Sequence, residues 1–260
     1  MNPALISTRQ RAYFNPLTST ILFADGLQPQ DIADFIGYSF EDAELIGLAG
    51  APEGSVVTVS TKGPTEDEPG YDDPPAKIEQ VPAGLVLTVK NPAYISKKNE
   101  IVVYRSSEDS LALYIKLIDF NKNFGFSGVG ALMVRSMVDT IGKISSGPTF
   151  DRLRLMAAGG RSWGDRERTA EGAAQDRWIG FNVWPKMGFD MDLHEKTREM
   201  LPYFEKYPKK LRDCETVQNV LALVEGGKDF WLTVGDGWYM EFSLVHPEAK
   251  EWLNRYLAEV

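Results

Sequence analysis

Leu111-Ala-Leu-Tyr-Ile-Lys-Leu-Ile-Asp-Phe120, then Asn121-Lys-Asn-Phe-Gly-Phe-Ser127, then Gly128-Val-Gly-Ala-Leu-Met-Val-Arg-Ser-Met-Val-Asp-Thr-Ile-Gly-Lys143 is the stretch that decides the fold. The first part reads as a strand and the last as a helix. Ala131, Val134, Met137, Val138 and Ile141 recur at helical spacing on one face. Between them lies a glycine-containing turn. Such a turn exposes consecutive backbone N–H groups at the positive end of the helix dipole, which suits an anion such as a pyrophosphate. No Gly-Lys-Ser/Thr follows, so it is not a Walker loop, and Gly125, Gly128 and Gly130 are in the wrong order for a dinucleotide fingerprint.

Upstream, 100–105 (Glu-Ile-Val-Val-Tyr-Arg) is a second strand. Ser106–Ser110 is a short polar turn, so 100–105 and 111–120 are expected as an antiparallel hairpin. Residues 84–90 and 55–61 are two further strands. The first thirty residues read as a strand or extended arm. Residues 30–49 read as helical with a break near Gly37, burying Ile32, Phe35 and Ile36, then Ala43, Leu45, Ile46 and Leu48. Between the strands, residues 62–82 hold five prolines among Glu66, Asp67, Glu68, Asp72 and Asp73. No regular element is expected in that acidic loop.

Downstream, Arg152–Ala157 is a short strand, residues 158–180 are rich in Gly, Arg and Asp, and Phe181–Leu193 holds an aromatic turn. From 194 onward the expectation is two helical segments (194–206 and 212–225), a hairpin of Phe230–Val234 with Trp238–Leu244, and a last amphipathic helix. All six tryptophans lie beyond residue 160, so the C-terminal part should pack its own aromatic cluster. The domain reading is therefore 1–193 for the main body and 194–260 for an aromatic-rich extension.

The strand–turn–helix stretch resembles the GNAT superfamily of N-acetyltransferases. Their acetyl-CoA motif is a strand, a loop and Arg/Gln-x-x-Gly-x-Gly/Ala at a helix start, matched here by Gly125-Phe126-Ser127-Gly128-Val129-Gly130. Gly125 stands at the Arg/Gln position, which removes a side-chain contact and leaves the backbone cradle. Downstream, Trp184-Pro-Lys-Met-Gly-Phe189 is similar to the family's Tyr-x-Lys-x-Gly-Phe turn, and strand 152–157 takes the place of its fifth strand. The resemblance covers residues 84–193, about two-fifths of the chain.

The resemblance implies an α+β fold, a GNAT-like mixed and mostly antiparallel sheet flanked by helices, with a C-terminal helix-plus-hairpin extension. It implies acetyl-CoA as co-substrate, acyl transfer to an amine on a small molecule or protein, and a pyrophosphate held by the backbone of Phe126, Ser127, Gly128, Val129 and Gly130. A main-chain N–H near Phe120 would stabilise the oxyanion. Where many members use a tyrosine as general acid, this chain has Trp184, and an indole N–H is no useful acid at neutral pH. Tyr104 and Tyr114 are possible substitutes without an assigned position.

Asp119 is the best-placed general base, since strand alternation puts it with Leu113, Ile115 and Leu117 at the edge of the cradle. Glu108 and Asp109 belong to a solvated turn. Arg161, Trp163, Asp165 and Arg166 form a charged loop after the fifth strand. Two rivals remain: a non-catalytic GNAT-like protein-binding module, and a GNAT-fold transferase modifying a nucleobase or tRNA. The second needs a basic face, for which only Arg152, Arg154, Arg161, Arg166 and Arg168 offer a cluster.

Composition agrees with an ordinary globular protein: 260 residues, 43% hydrophobic, 25% charged, net charge −9. That acidity disfavours nucleic acid as a partner. No run approaches the ~18 apolar residues of a membrane helix, and the N-terminus lacks the basic start of a secretory signal. With a single cysteine, Cys214, these features imply a soluble cytoplasmic protein without an internal disulfide. Asp213 and Glu215 flank Cys214 and should raise its pKa. His194 and His246 read as a surface or capping residue and a helix start, so no metal site is expected.

Overall fold

The structure is a computed structural model that describes residues 18–24, 26–63, 65–66, 80–121, 128–145, 147–160, 180–200, 203, 209–223 and 225–259. In chain order its first elements are β1 (Thr20–Phe23), α1 (Pro29–Ile36), α2 (Asp42–Leu48), β2 (Val56–Lys62), β3 (Thr65–Glu66) and β4 (Gln80–Val81). Next come β5 (Gly84–Lys90), β6 (Asn99–Arg105), β7 (Ser110–Leu117), α3 (Val129–Ile141) and β8 (Thr149–Met156). Then follow α4 (Gly180–Lys186), α5 (Glu195–Glu199), a 3₁₀ turn (Lys209–Asp213), α6 (Val217–Leu221), α7 (Gly227–Val234), β9 (Tyr239–Ser243) and α8 (Pro247–Glu259).

Seven strands form a mixed, mostly antiparallel sheet in the order β1-β2-β5-β6-β7-β8-β9, flanked by helices, so the chain is α+β. The strand β1 runs parallel to β2, while the β2/β5, β5/β6 and β6/β7 pairs are antiparallel. Among the described residues no helix is long and apolar enough to cross a membrane. The chain divides into two compact units. One takes the elements up to Arg154 with the end of α8 from Leu253, and the other takes Leu155–Trp252, so that residues 193 and 194 both lie inside the second.

In the first unit, strand alternation builds the core. Val57 and Val59, Leu85, Leu87 and Val89, Ile101 and Val103, and Leu111, Leu113 and Ile115 share one face through the strand register, and all are buried. The helix α1 starts at Pro29 after a capping box in which the Gln28 N–H donates to Asp31 Oδ2 at 2.7 Å. It buries Ile32 and Ile36, but Phe35 is 45% exposed, one position off the buried stripe. Ala43 is likewise exposed at the start of α2, which buries Leu45, Ile46 and Leu48 and packs on α3. On α3, Leu132 and Met133 are buried beside Ala131, Val134 and Met137, whereas Val138 and Ile141 are half-buried. The helix is covered on more than the single stripe its periodicity suggests.

The segment 62–82 departs from expectation at both ends. Thr65 pairs with Val81 and Glu66 with Gln80, so a short ladder closes it where none was expected. Backbone pairing needs only residues with free N–H groups, and none of the five prolines occupies a paired position; residues 67–79 lie outside those described. The β6–β7 hairpin is present, with the Ser106 N–H donating to the Ser110 carbonyl at 2.9 Å.

The second unit packs around aromatic rings. Trp231, Phe230, Phe189 and Phe242 are fully buried, and the Trp231 indole donates to the Phe181 carbonyl at 2.9 Å. The Phe189 ring lies 5.2 Å from Trp184 and 5.5 Å from Phe242. Here the expected hairpin of 230–234 with 238–244 is overturned: Gly227–Val234 is helical and only Tyr239–Ser243 is a strand. Phe230, Trp231 and Val234 are spaced to share one helical face, and burial of that face outweighs the β-favouring composition of the segment. Gly235-Asp236-Gly237 is correspondingly no hairpin turn; Asp236 bridges to Gly160 and the Gly237 N–H donates to Gly159. The two helical segments expected after 194 are shorter, namely α5, the 3₁₀ turn and α6. Within 181–193, where an aromatic turn was expected, α4 comes first and the turn follows it.

Candidate functional site: the end of β7 and the start of α3

The strand β7 does not run straight into the turn. Ile115 pairs with Ile101, but Leu117 pairs with Glu100, so β7 spends one extra residue against β6. Such a bulge breaks two-residue alternation and terminates pairing. The strand therefore ends at Leu117, not Phe120, and Asp119 does not continue the row of Leu113 and Ile115. This corrects the alternation argument that singled Asp119 out. Its side chain is half-buried all the same.

What holds residues 119–121 is the loop between β5 and β6. The Ser96 N–H donates to the Asp119 carbonyl and the Asn121 N–H to the Tyr94 carbonyl, both at 2.8 Å, around an antiparallel bridge of Ile95 with Phe120. The Asp119 N–H donates to Asn99 Oδ1 at 2.8 Å. Since Asp119 C=O and Asn121 N–H face that loop, the alternating backbone turns the Phe120 N–H to the opposite side. The loop is itself anchored by buried Asn91. Its Nδ2 donates to the Glu53 carbonyl (2.9 Å) and Ser55 Oγ (3.1 Å), and its Oδ1 accepts from the Ala93 N–H (3.1 Å). Neither Asn91 nor Asn99 was singled out in the sequence. The one local signal was an asparagine at each end of the loop, Asn91 before Pro92 and Asn99 after Lys98.

Residues 122–127 lie outside those described, and with them Phe126 and Ser127. The chain is described again at Gly128, the residue that caps α3. Its φ of 109° is one that residues with a Cβ rarely adopt, which is why glycine stands there. Among the described residues no side chain caps α3 and no acidic residue sits in its first turn, so none of them competes with an anion for its N–H groups. Buried Val129 pins the helix start to the core. Among the described residues an added Cβ at Gly130 would meet only Phe120 Cε2, at 4.0 Å. The structure thus brings Asp119, Phe120, Gly128, Val129 and Gly130 to one end of the sheet. This arrangement offers backbone donors to a phosphate and fits a pyrophosphate on the donor chemistry alone.

The remaining candidates fall elsewhere. Tyr114 is fully buried in β7, and Tyr104 is half-buried in β6 opposite Ala112. Glu108 and Asp109 are exposed in the hairpin turn. Arg161, Trp163, Asp165, Arg166 and Arg168 lie outside the described residues. Arg152 pairs with Asp151 at 3.0 Å. In the second unit, Trp184 sits in α4 with its ring edge-on to Phe189, and its carbonyl accepts from the Met187 and Phe189 N–H groups. Gly188, with φ 99°, turns the chain between them.

His194 is exposed beside Trp238, and its carbonyl accepts from Thr197 and Arg198 as α5 begins. His246 precedes α8 with its N–H on Ser243 Oγ. Burial, and secondarily the charge of Asp213, pushes the Cys214 thiol up, which suits an inert core thiol. No group of side chains that could hold a metal ion occurs among the described residues. Comparison with protein-family models, curated proteins and solved structures gives no match.

Proposed function

We propose that the protein is a GNAT-like acyltransferase that moves an acetyl group from acetyl-CoA to an amine. The observation that carries the reading is the start of α3 at Gly128-Val129-Gly130, which bears no side-chain cap and lies beside Phe120, three residues past the end of β7. In this reading the first-turn N–H groups of α3 bind the pyrophosphate. The pantetheine arm lies over the end of β7, past Leu117 where its pairing with β6 stops. The amine attacks the thioester carbonyl, the C–S bond breaks as the intermediate collapses, and CoA leaves as its thiolate.

The Phe120 N–H, turned away from the 91–98 loop, is the donor for the oxyanion. Asp119 takes the proton from the amine. The thiolate is protonated by solvent or by a group other than Trp184. The net charge of −9 favours a cationic acceptor such as a polyamine or a lysine-bearing protein, and a cytoplasmic location goes with this substrate. The packing of Trp184 against Phe189 favours one second reading, a non-catalytic GNAT-like module that binds a protein partner.

A thermal-shift series with acetyl-CoA, CoA and ATP tests both. Stabilisation by the two CoA compounds and none by ATP is expected, followed by acetylation of a polyamine or lysine peptide. CoA stabilisation without turnover on any amine would leave the module reading, and no stabilisation by CoA would overturn the proposal.

A further inference from the structure

We propose that Asn99 is a ligand-binding residue of this site, donating through Nδ2 to a carbonyl oxygen, amide or thioester, of the arm that lies over the end of β7. The inference rests on the acyl-CoA reading above and adds to it a side-chain contact. Asn99 opens β6 and is 1% exposed. Its Oδ1 is committed to the Asp119 N–H at 2.8 Å, while its Nδ2 is buried and has no hydrogen-bond partner among the described residues. The commitment of Oδ1 also settles which end of the carboxamide is the donor.

A carboxamide is a rigid plane. With its oxygen held by the Asp119 N–H, its nitrogen is fixed close to the Asp119 backbone. The partner of Asn99 across the ladder is Val89, and its neighbour on the same face is Ile101; neither side chain has an acceptor. Leaving a buried donor unmet is costly, so the group points to an acceptor brought in from outside. Pantetheine amides and the thioester supply neutral carbonyl oxygens and no positive charge, which matches a neutral donor.

The test is titration of CoA into the full-length protein and into Asn99→Asp, which keeps an oxygen for the Asp119 N–H and replaces the donor by a carboxylate oxygen. At pH 8 the variant should bind CoA about tenfold or more weakly. Its affinity should recover as the pH falls and the new carboxyl gains a proton to donate, while the wild type stays flat. Should the variant not fold, the wild-type Asn99 side-chain amide signals in ¹⁵N spectra serve instead, and they should shift on saturation with CoA. Wild-type affinity in Asn99→Asp at pH 8, or unmoved Asn99 signals with CoA bound, overturns this inference alone and leaves the CoA reading standing. A wild type that binds no CoA overturns both.

Discussion

The two compact units are stabilised by different means. In the first, long ladders from β2 to β7 align aliphatic side chains on one face, and no single residue dominates that core. In the second the helices are short, five to eight residues in α4 to α7, and a few large rings and pinned backbone groups hold them. Short helices contribute little by themselves, so their stability comes from packing. Damage should therefore be spread in the first unit and concentrated in the second.

The largest expected effect tests that contrast. Trp231→Ala removes a fully buried ring and leaves the Phe181 carbonyl without its indole donor. It should cost about 3–5 kcal/mol in urea unfolding. Native-state hydrogen exchange should show faster amides in α7 and β9 while β5–β7 keep their protection. Equal acceleration in β5–β7 would break the distinction between the units.

The next effect is functional and belongs to the first unit. Gly130→Glu places a side chain where, among the described residues, a Cβ has only the Phe120 ring nearby, so the melting temperature should change by no more than a few degrees. The carboxylate would also sit favourably at the helix start as far as the helix is concerned. CoA affinity should nevertheless fall at least ~10-fold, because the favourable dipole interaction of up to ~2 kcal/mol then serves the side chain and no longer the phosphate. A folded variant with unchanged CoA affinity would remove α3 from the binding site.

The smallest effect sharpens the account of the second unit. Burial holds the Asp190 carboxyl above the usual carboxylate range, against the bonds it accepts from Gln218, Thr216 and Met191, and the charge of Asp192 adds to the rise. A raised pKa in the folded state means that this group favours folding at low pH, and that the contribution is lost as pH rises through the folded pKa. At neutral pH the ionised group is a cost. Asn at this position keeps an Oδ1 for the Met191 and Gln218 N–H groups, both now bonded at 2.9 Å. Asp190→Asn should leave stability at pH 7 equal or higher by up to about 1 kcal/mol, and flatten its dependence on pH on the acid side. A clear destabilisation at pH 7 in urea unfolding would show that the charge itself is needed by its three donors.

Read from sequence, the first unit was far more legible than the second. The β6–β7 hairpin, the break at Gly37 and a helix starting beside Gly128 follow from alternation, helical spacing and glycine, all of which act within a few residues. The reading of Phe230–Val234 as a strand failed because Phe, Trp, Thr and Val suit a strand as well as a buried helix face. The bulge in β7 was equally hidden, since an extra residue exists only relative to the partner strand. That bulge decides where Asp119 sits, so the candidate base was named for a register that does not hold.

The sequence by itself determined the α+β class, the glycine-bearing strand–turn–helix and the concentration of aromatics beyond residue 160. Each is carried by the chain's own periodicity and composition, and needs no knowledge of what packs where. Tertiary structure alone decided that Asn99 and the 91–98 loop hold the Asp119–Asn121 backbone, and that Trp184 packs on Phe189. Asn99 lies 20 residues from Asp119 in the chain. A hydrogen bond across that separation leaves no pattern in either local segment, because it is made by the fold that brings the two strands' ends together.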